Sequence, residues 1–257
     1  LGRTHWECLA KPAGRLRVGE RLDLGQGLSA TLEGRGGEGL VTVSLRSHQP
    51  LARALARVGH VPLPPYIRRP DTIRDRRDYQ SLFARQPGAV AAPTASLHFT
   101  VALLRQLSTA GITRSAITLH VGMGTFQPLR PHHLRTGRLH AERYAIPAAT
   151  AQAIAATRTT GGRIVAVGTT TVRALETVAR EHRGRVIAGA GETTLFIQPG
   201  FTFRTVDALI TNFHLPRSSL LLLVSAFAGP NLTRAAYAHA IAQRYRFYSY
   251  GDAMLIV

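Results

Sequence analysis

The sequence is short of acid and almost without lysine. Its 257 residues hold 14 Asp+Glu against 32 Lys+Arg, a formal net charge of +18, and Lys11 is the single lysine. Nearly every positive charge is therefore an arginine, whose planar guanidinium suits bidentate phosphate contacts and stacking on bases. A coding bias explains arginine in place of lysine but not the excess over acid. The surplus sets up a positive field toward polyanions and points to nucleic acid or nucleotide phosphate as the partner class. Cysteine is as scarce: Cys8 stands alone, which excludes an internal disulfide and a multi-cysteine metal site and fits a reducing cytoplasm. Long apolar runs are missing too. The longest lies around residues 220–224, far short of the roughly 20 residues that span a bilayer, and the first ten residues show no basic flank followed by an apolar core. A chain that is 45% hydrophobic is expected to fold, as one large domain or a large one with a small one. Because it begins with Leu1, in strand-like text, an N-terminally incomplete protein is expected.

Up to Leu45 the text is short alternating runs punctuated by glycine, and Val41, Val43 and Leu45 fall on one face. This is the signature of half-buried antiparallel strands, predicting a small β-sheet or barrel module over 1–58. The proline-rich "GHVPLPPYIRRP" (59–70) reads as a strap at the start of a second domain, 59–257. There strands alternate with helices, predicting an α/β domain with a mixed sheet and flanking helices. A helix is expected from Pro93–Thr94 to Gly111 on the spacing of Leu97, Val101, Leu104 and Leu107. "RIVAVG" reads as a buried strand, and "TVRALETVAREH" as a helix with Val172, Leu175 and Val178 on one side.

Turns after strands are where ligands bind in such domains. "IVAVGTTTVRALE" sends Gly168, Thr169, Thr170 and Thr171 straight into a helix, a cradle for phosphate, carboxylate or ribose, or simply a well-capped turn. It lacks the lysine of a phosphate loop, which argues against triphosphate hydrolysis. "LHVGMGTFQPLR" offers Gly122, Gly124 and Thr125 after a strand ending in His120, but Gln127 stands where a dinucleotide fingerprint needs glycine. His98, His120, His140 and His214 each follow an apolar residue. Metal binding lacks its spacing patterns, leaving acid/base work or hydrogen bonding to a nucleoside. "RYRFYSYGDAM" interleaves Arg244 and Arg246 with Tyr248 and Tyr250, either a base-stacking surface or an ordinary strand. "DALITNFHLPRSSLLLLVSAF" splits two apolar runs with the polar wedge Thr211-Asn212-Phe213-His214.

Six blocks, "GHVPLPPYI", "YQSLFARQPGAVAAPTASLHFT", "LHVGMGTFQPLR", "AVGTTTVRALE", "TNFHLPRSSLLLLVSAFAG" and "YRFYSYGDAMLI", come in the order found in the S-adenosylmethionine:tRNA ribosyltransferase-isomerases of queuosine biosynthesis, which this chain resembles over most of its length. Ser96 replaces an expected glycine and is expected to narrow the pocket; Leu139 and Ser219 replace a methionine and a threonine. The resemblance implies a larger α/β domain, part of it N-terminal to Leu1, with a small antiparallel β-barrel inserted in it. It also implies transfer and isomerisation of the ribosyl part of S-adenosylmethionine onto 7-aminomethyl-7-deazaguanine at the tRNA wobble position, giving epoxyqueuosine, adenine and methionine. No metal or resident cofactor, no membrane, and a cytoplasmic monomer are expected. On this footing His214 is expected with Thr211 and Asn212 at the pocket edge, and His98 and His120 as facing partners. Gly168 to Thr171 with Arg173 are expected to cradle methionine or ribose, assisted by Gly122, Gly124 and Thr125. Glu142 and Asp252 are expected to orient a histidine or hold ribose hydroxyls, and Arg244, Arg246, Tyr248 and Tyr250 to meet the RNA. The alternative is a tRNA-binding fragment without turnover. An ordinary methyltransferase is disfavoured by the incomplete glycine fingerprint.

Overall fold

Val41, Val43 and Leu45 are all buried, as period-two text on a one-sided sheet requires. They lie on β4 (Leu40–Ser47) of a four-stranded antiparallel sheet, in which β1 (Thr4–Leu9), β4, β3 (Leu28–Arg35) and β2 (Arg21–Gly25) follow one another across the sheet. The β2–β3 hairpin closes through Gln26 and Gly27, both at positive φ (50° and 77°), with Gly25 paired to Leu28; two left-handed residues match the twist of the flanking strands. Ala30, Leu32, Val41, Val43 and Leu45 form the core, and Leu51 and Leu55 of α1 (Leu51–Val58) pack against it. This is the first of two compact units, Leu1–Val61 and Pro62–Val257, in a computed structural model that describes residues 4–37, 39–64, 66–122 and 129–257.

The second unit carries two three-stranded sheets. In one, β9 (Ala208–Asn212) lies between β10 (Ala253–Ile256), antiparallel to it, and β7 (Val165–Val167), parallel to it. In the other, β6 (Arg138–Ile146) lies between β5 (Thr118–His120) and β8 (Gly189–Leu195), antiparallel to both. The helices are α2 (Asp75–Asp78), α3 (Val101–Thr109), α4 (Pro131–Thr136), α5 (Ala148–Thr159), α6 (Thr169–Glu181), α7 (Ser219–Ala228) and α8 (Pro230–Ala242). Val172, Leu175 and Val178 of α6 are buried together with Ile146, Ile197, Leu209 and Leu223 in one cluster, so the expected helix face is the one that packs. Glu176 on the same helix is wholly buried. Its carboxylate accepts from the backbone N–H groups of Arg204, Thr205 and Val206 (2.8–3.0 Å), fixing the approach to β9.

Two expectations are corrected. The helix expected from Pro93–Thr94 is broken: a 3-10 turn over Thr94–His98 is followed by extended Phe99 and Thr100, and Thr100 Oγ1 caps a new helix, α3, by accepting from Leu103 N–H (3.1 Å). Hydroxyl capping in a β conformation competes with continued helix at such a residue. The buried strand read from "RIVAVG" is a three-residue edge strand with Val165 47% exposed, because among the described residues β7 pairs with β9 alone.

Candidate active site

The parallel pair β7 and β9 delivers two strand-to-helix turns to one place. At the first, Gly168 leaves β7 at φ +91°, a conformation open to glycine, and α6 starts at the next residue. At the second, Thr211 and Asn212 end β9, and residues 213–218 lead to Ser218, whose Oγ caps α7 by accepting from Leu221 N–H (3.2 Å). The cavity they share has a volume of about 300 Å³. Gly168, Thr169, Thr170 and Thr171 line it from the first turn, and Thr211 to Ser218 from the second. Thr94 and Ala95, Leu119 and Val121, Tyr66, Tyr248 and Ser249 complete the walls.

Two histidines are held by the last two residues of β9. His214 Nε2 lies 2.8 Å from Thr211 Oγ1, and its backbone N–H donates to the Tyr237 hydroxyl oxygen (2.8 Å). Withdrawal from bulk water pushes the His214 imidazole down to about 4, since a cation there loses its hydration. The ring is therefore neutral at pH 7. Asn212 holds His98. Its Nδ2 donates to the Tyr248 carbonyl (3.1 Å), which can only accept and so fixes the amide orientation, and its Oδ1 accepts from Thr94 Oγ1 (3.1 Å). Nδ2 also lies 3.0 Å from His98 Nε2. An amide nitrogen only donates, so Nε2 of His98 must be the accepting nitrogen of a neutral ring. Burial depresses the His98 pKa in the same sense, while the Asp252 carboxylate opposes it.

The rest of the expected set is distributed differently. Of the three histidines only His214 lines the cavity: His98 lies behind Asn212, and His120 sits between the lining residues Leu119 and Val121 with its ring against Gly88, where an added Cβ would meet Nδ1 at 3.0 Å. Arg173 and Glu142 are buried, each 4% exposed, and paired with each other (Nη1–Oε2 2.7 Å). Arg173 also donates to the carbonyls of Leu195 (2.9 Å), His140 and Thr193 (3.3 Å each). One turn into α6, its guanidinium faces β6 and β8 and is spent joining them. Asp252 accepts from the Arg246 N–H (2.7 Å) and donates its own N–H to the Arg246 carbonyl, closing the loop before β10. Gly122 is described but does not line the cavity; Gly124 and Thr125 lie outside the described residues. Arg244 and Arg246 are exposed. Tyr248, at φ +72°, lines the cavity with its ring 4.7 Å from that of Tyr66. Tyr250 donates its hydroxyl to Asp75 (2.8 Å) and sets its ring edge-on to Tyr79. Ser96 does not narrow the cavity: it is buried, with Oγ bonded to Ser81 Oγ (2.7 Å) and the Pro93 carbonyl (2.6 Å).

Sequence reasoning missed Tyr66, Thr94, Ser249, Tyr237 and Arg217. Tyr66 hydrogen-bonds Ser249, which also accepts from Tyr79 Oη (3.1 Å), so the strap after Pro62 and the loop before β10 share one polar knot beside the cavity. Tyr66 and Arg217 fall in the quoted blocks "GHVPLPPYI" and "TNFHLPRSS" and were within reach; Tyr237, in an alanine-rich helix, carries no signal. Asp75, buried at 3% exposure, accepts from Arg69 through both oxygens (2.7 and 2.8 Å) and from Thr72, and these donors hold its carboxyl well below the usual range.

Residues 1–256 match the family model described as "Queuosine biosynthesis protein". The chain is similar to the S-adenosylmethionine:tRNA ribosyltransferase-isomerase of Rhodospirillum rubrum, 51% identical over the whole chain and 74% of that protein. Its counterpart in Anaeromyxobacter is 53% identical over 98% of this chain and 73% of that protein. The crystal structure of an S-adenosylmethionine tRNA ribosyltransferase from Thermotoga maritima, 37% identical, superposes with a TM-score of 0.54 over 98% of this chain and 70% of that one. Its full-length family match and its identity to these relatives place this chain in the queuosine biosynthesis protein family.

Proposed function

We propose that this protein is an S-adenosylmethionine:tRNA ribosyltransferase-isomerase, moving the ribosyl part of S-adenosylmethionine onto 7-aminomethyl-7-deazaguanine in tRNA, with release of adenine and methionine. Membership of the family supports the reaction class. The observation that carries the assignment to a site is the meeting of the β7–α6 and β9–α7 turns around one cavity that holds a neutral histidine.

The sulfonium acidifies the ribose C5′ hydrogens, so a neutral imidazole at the cavity wall can begin the reaction by taking one. We assign that role to His214, whose ring pairs with Thr211 and whose backbone N–H donates to the Tyr237 hydroxyl. His98, held neutral by Asn212, does not line the cavity and acts behind Asn212 as a positioning partner. Hydroxyls and backbone donors at the start of α6 are suited to ribose or to the amino-acid tail. Leu119, Val121, Leu215 and Leu220 give the cavity an apolar lining that limits loose water around reactive intermediates. We read S-adenosylmethionine as a substrate and assign no resident cofactor, the exposed arginines as the side that meets tRNA, and the protein as a cytoplasmic monomer. Among the described residues no helix is long and apolar enough to cross a membrane. The four-stranded sheet of the first unit corresponds, on this reading, to a small β-barrel.

The test is adenine release from S-adenosylmethionine in the presence of tRNA bearing the aminomethyl base. Adenine and methionine in equal amounts, dependent on that tRNA, are expected; tRNA binding without adenine would make the chain a binding fragment, and S-adenosylhomocysteine a methyltransferase.

A further inference from the structure

We propose that Arg217 recognises the α-carboxylate of the methionine tail of S-adenosylmethionine, and so sets the preference for a substrate with an intact amino-acid end. The inference rests on the functional reading above and assigns to that site a residue sequence reasoning did not choose. Arg173, expected in this role, is consumed by Glu142 and three carbonyls. Among the described residues lining the cavity, Arg217 is the only arginine, lysine, aspartate or glutamate. A substrate carboxylate entering there has one fixed positive charge to meet and no acidic side chain to oppose it.

Two further observations bear on Arg217, which is exposed; Arg183 and Arg244 share its left-handed φ (55° and 58°), and what sets Arg217 apart is its place on the cavity wall. Its guanidinium makes no hydrogen bond or ion pair with any described residue, whereas Arg69, Arg77, Arg158 and Arg173 each hold a carboxylate. Its backbone sits at φ +58°, a left-handed conformation that a bulky side chain adopts at a cost. Between Pro216 and the capping residue Ser218, that conformation determines where the side chain leaves the turn, three residues after His214. A free guanidinium on a strained turn beside a neutral imidazole fits a ligand with an anionic end and a reacting centre a few bonds away. Arginine also offers the carboxylate two parallel donors, which adds direction to charge.

The experiment is steady-state adenine release with S-adenosylmethionine and with its decarboxylated analogue, for the wild-type protein, Arg217→Met and Arg217→Lys. The wild type is expected to favour the carboxylate-bearing substrate by roughly tenfold to hundredfold in kcat/KM, the range of a lost charge-assisted hydrogen bond. Arg217→Met should raise KM for S-adenosylmethionine by a similar factor and erase the preference, with kcat falling far less and KM for tRNA unmoved; Arg217→Lys should lie between. A preference that survives in Arg217→Met, a wild type with no preference, or a rise in KM for tRNA instead of S-adenosylmethionine, as for a phosphate contact, would overturn the assignment. Should the wild type release no adenine, it is the functional reading that fails. Calorimetric titration with the same two ligands then reads the arginine directly, and equal affinities in wild type and Arg217→Met overturn it.

Discussion

The two turns at the cavity leave neighbouring parallel strands and do opposite things. The β7–α6 turn is as short as a crossing can be: Gly168 bends, Thr169 is already helical, and what faces the cavity is backbone and small hydroxyls. The β9–α7 turn is longer, and it carries His214 and Arg217. A tight turn presents a fixed, chemically plain surface because its geometry leaves no room for choice. A longer turn has room for functional side chains, and His214 on it is held by Thr211 and by the Tyr237 hydroxyl. On the proposed function the first turn supplies backbone and hydroxyl groups for binding, and the second the proposed base and the proposed carboxylate clamp.

The largest expected effect breaks the second turn. His214→Ala should lower kcat/KM for adenine release by about 10²–10⁴, the worth of a positioned general base, while tRNA affinity by filter binding stays within about threefold. Normal turnover would make the turn structural. Next comes the pair behind the first turn. Arg173→Met alone removes the arginine from the buried Glu142 and should cost about 3–5 kcal/mol in urea unfolding, whereas adding Glu142→Leu should restore much of it. A double variant that folds, yet no longer binds S-adenosylmethionine, would return Arg173 to the ligand.

The sequence made the helix faces and the wedge legible because both are local. Val172, Leu175 and Val178 repeat at helical spacing, and three polar residues, Thr211, Asn212 and His214, between apolar runs mark a strand end. Thr211 and His214 are close in sequence, so their pairing was within reach. The role of Asn212 was not, because its partners Thr94, His98 and Tyr248 come from distant segments that only the fold assembles. The same holds for Arg173: arginine after a glycine-threonine turn reads as a ligand clamp until β6 brings Glu142 against it. The edge position of β7 escaped for a related reason, since "IVAV" has the same text in the middle of a sheet as at its rim. Histidine beside an apolar residue proved a weak sign by itself. His98 and His214 are tied to the end of β9, and His120 is packed on Gly88.

Acid sharpens the comparison, since the second turn holds a titrating group and the first does not. The folded-state pKa of His214, about 4, lies below the ordinary 6.5. Above 6.5 the ring is neutral in both states. Between 6.5 and about 4 the unfolded chain binds a proton that the folded one refuses, so stability falls as pH falls, by up to about 3 kcal/mol in all. Urea midpoints from pH 7 to pH 5 should therefore drop, and in His214→Gln they should drop less. The acid limb of kcat/KM should fall below the usual histidine range. A limb centred near 6.5 would mean that the base is another group.

The smallest effect expected is on the first turn. At Gly168 an added Cβ would meet Ala95 Cβ at 3.7 Å and Thr171 Oγ1 at 4.0 Å, ordinary contacts, so room is not the obstacle. The obstacle is φ +91° with ψ 145°, a conformation kept to glycine. Gly168→Ala should cost roughly 1–3 kcal/mol, lowering Tm by about 3–8 °C in a chain of this size. If the plain surface of this turn is its contribution, the variant should also raise KM for S-adenosylmethionine, because relieving the strain rotates the hydroxyls of Thr169 and Thr170 away from the cavity. Lower Tm with unchanged KM would reduce Gly168 to a hinge of the fold and leave binding, like proton transfer, to the longer turn.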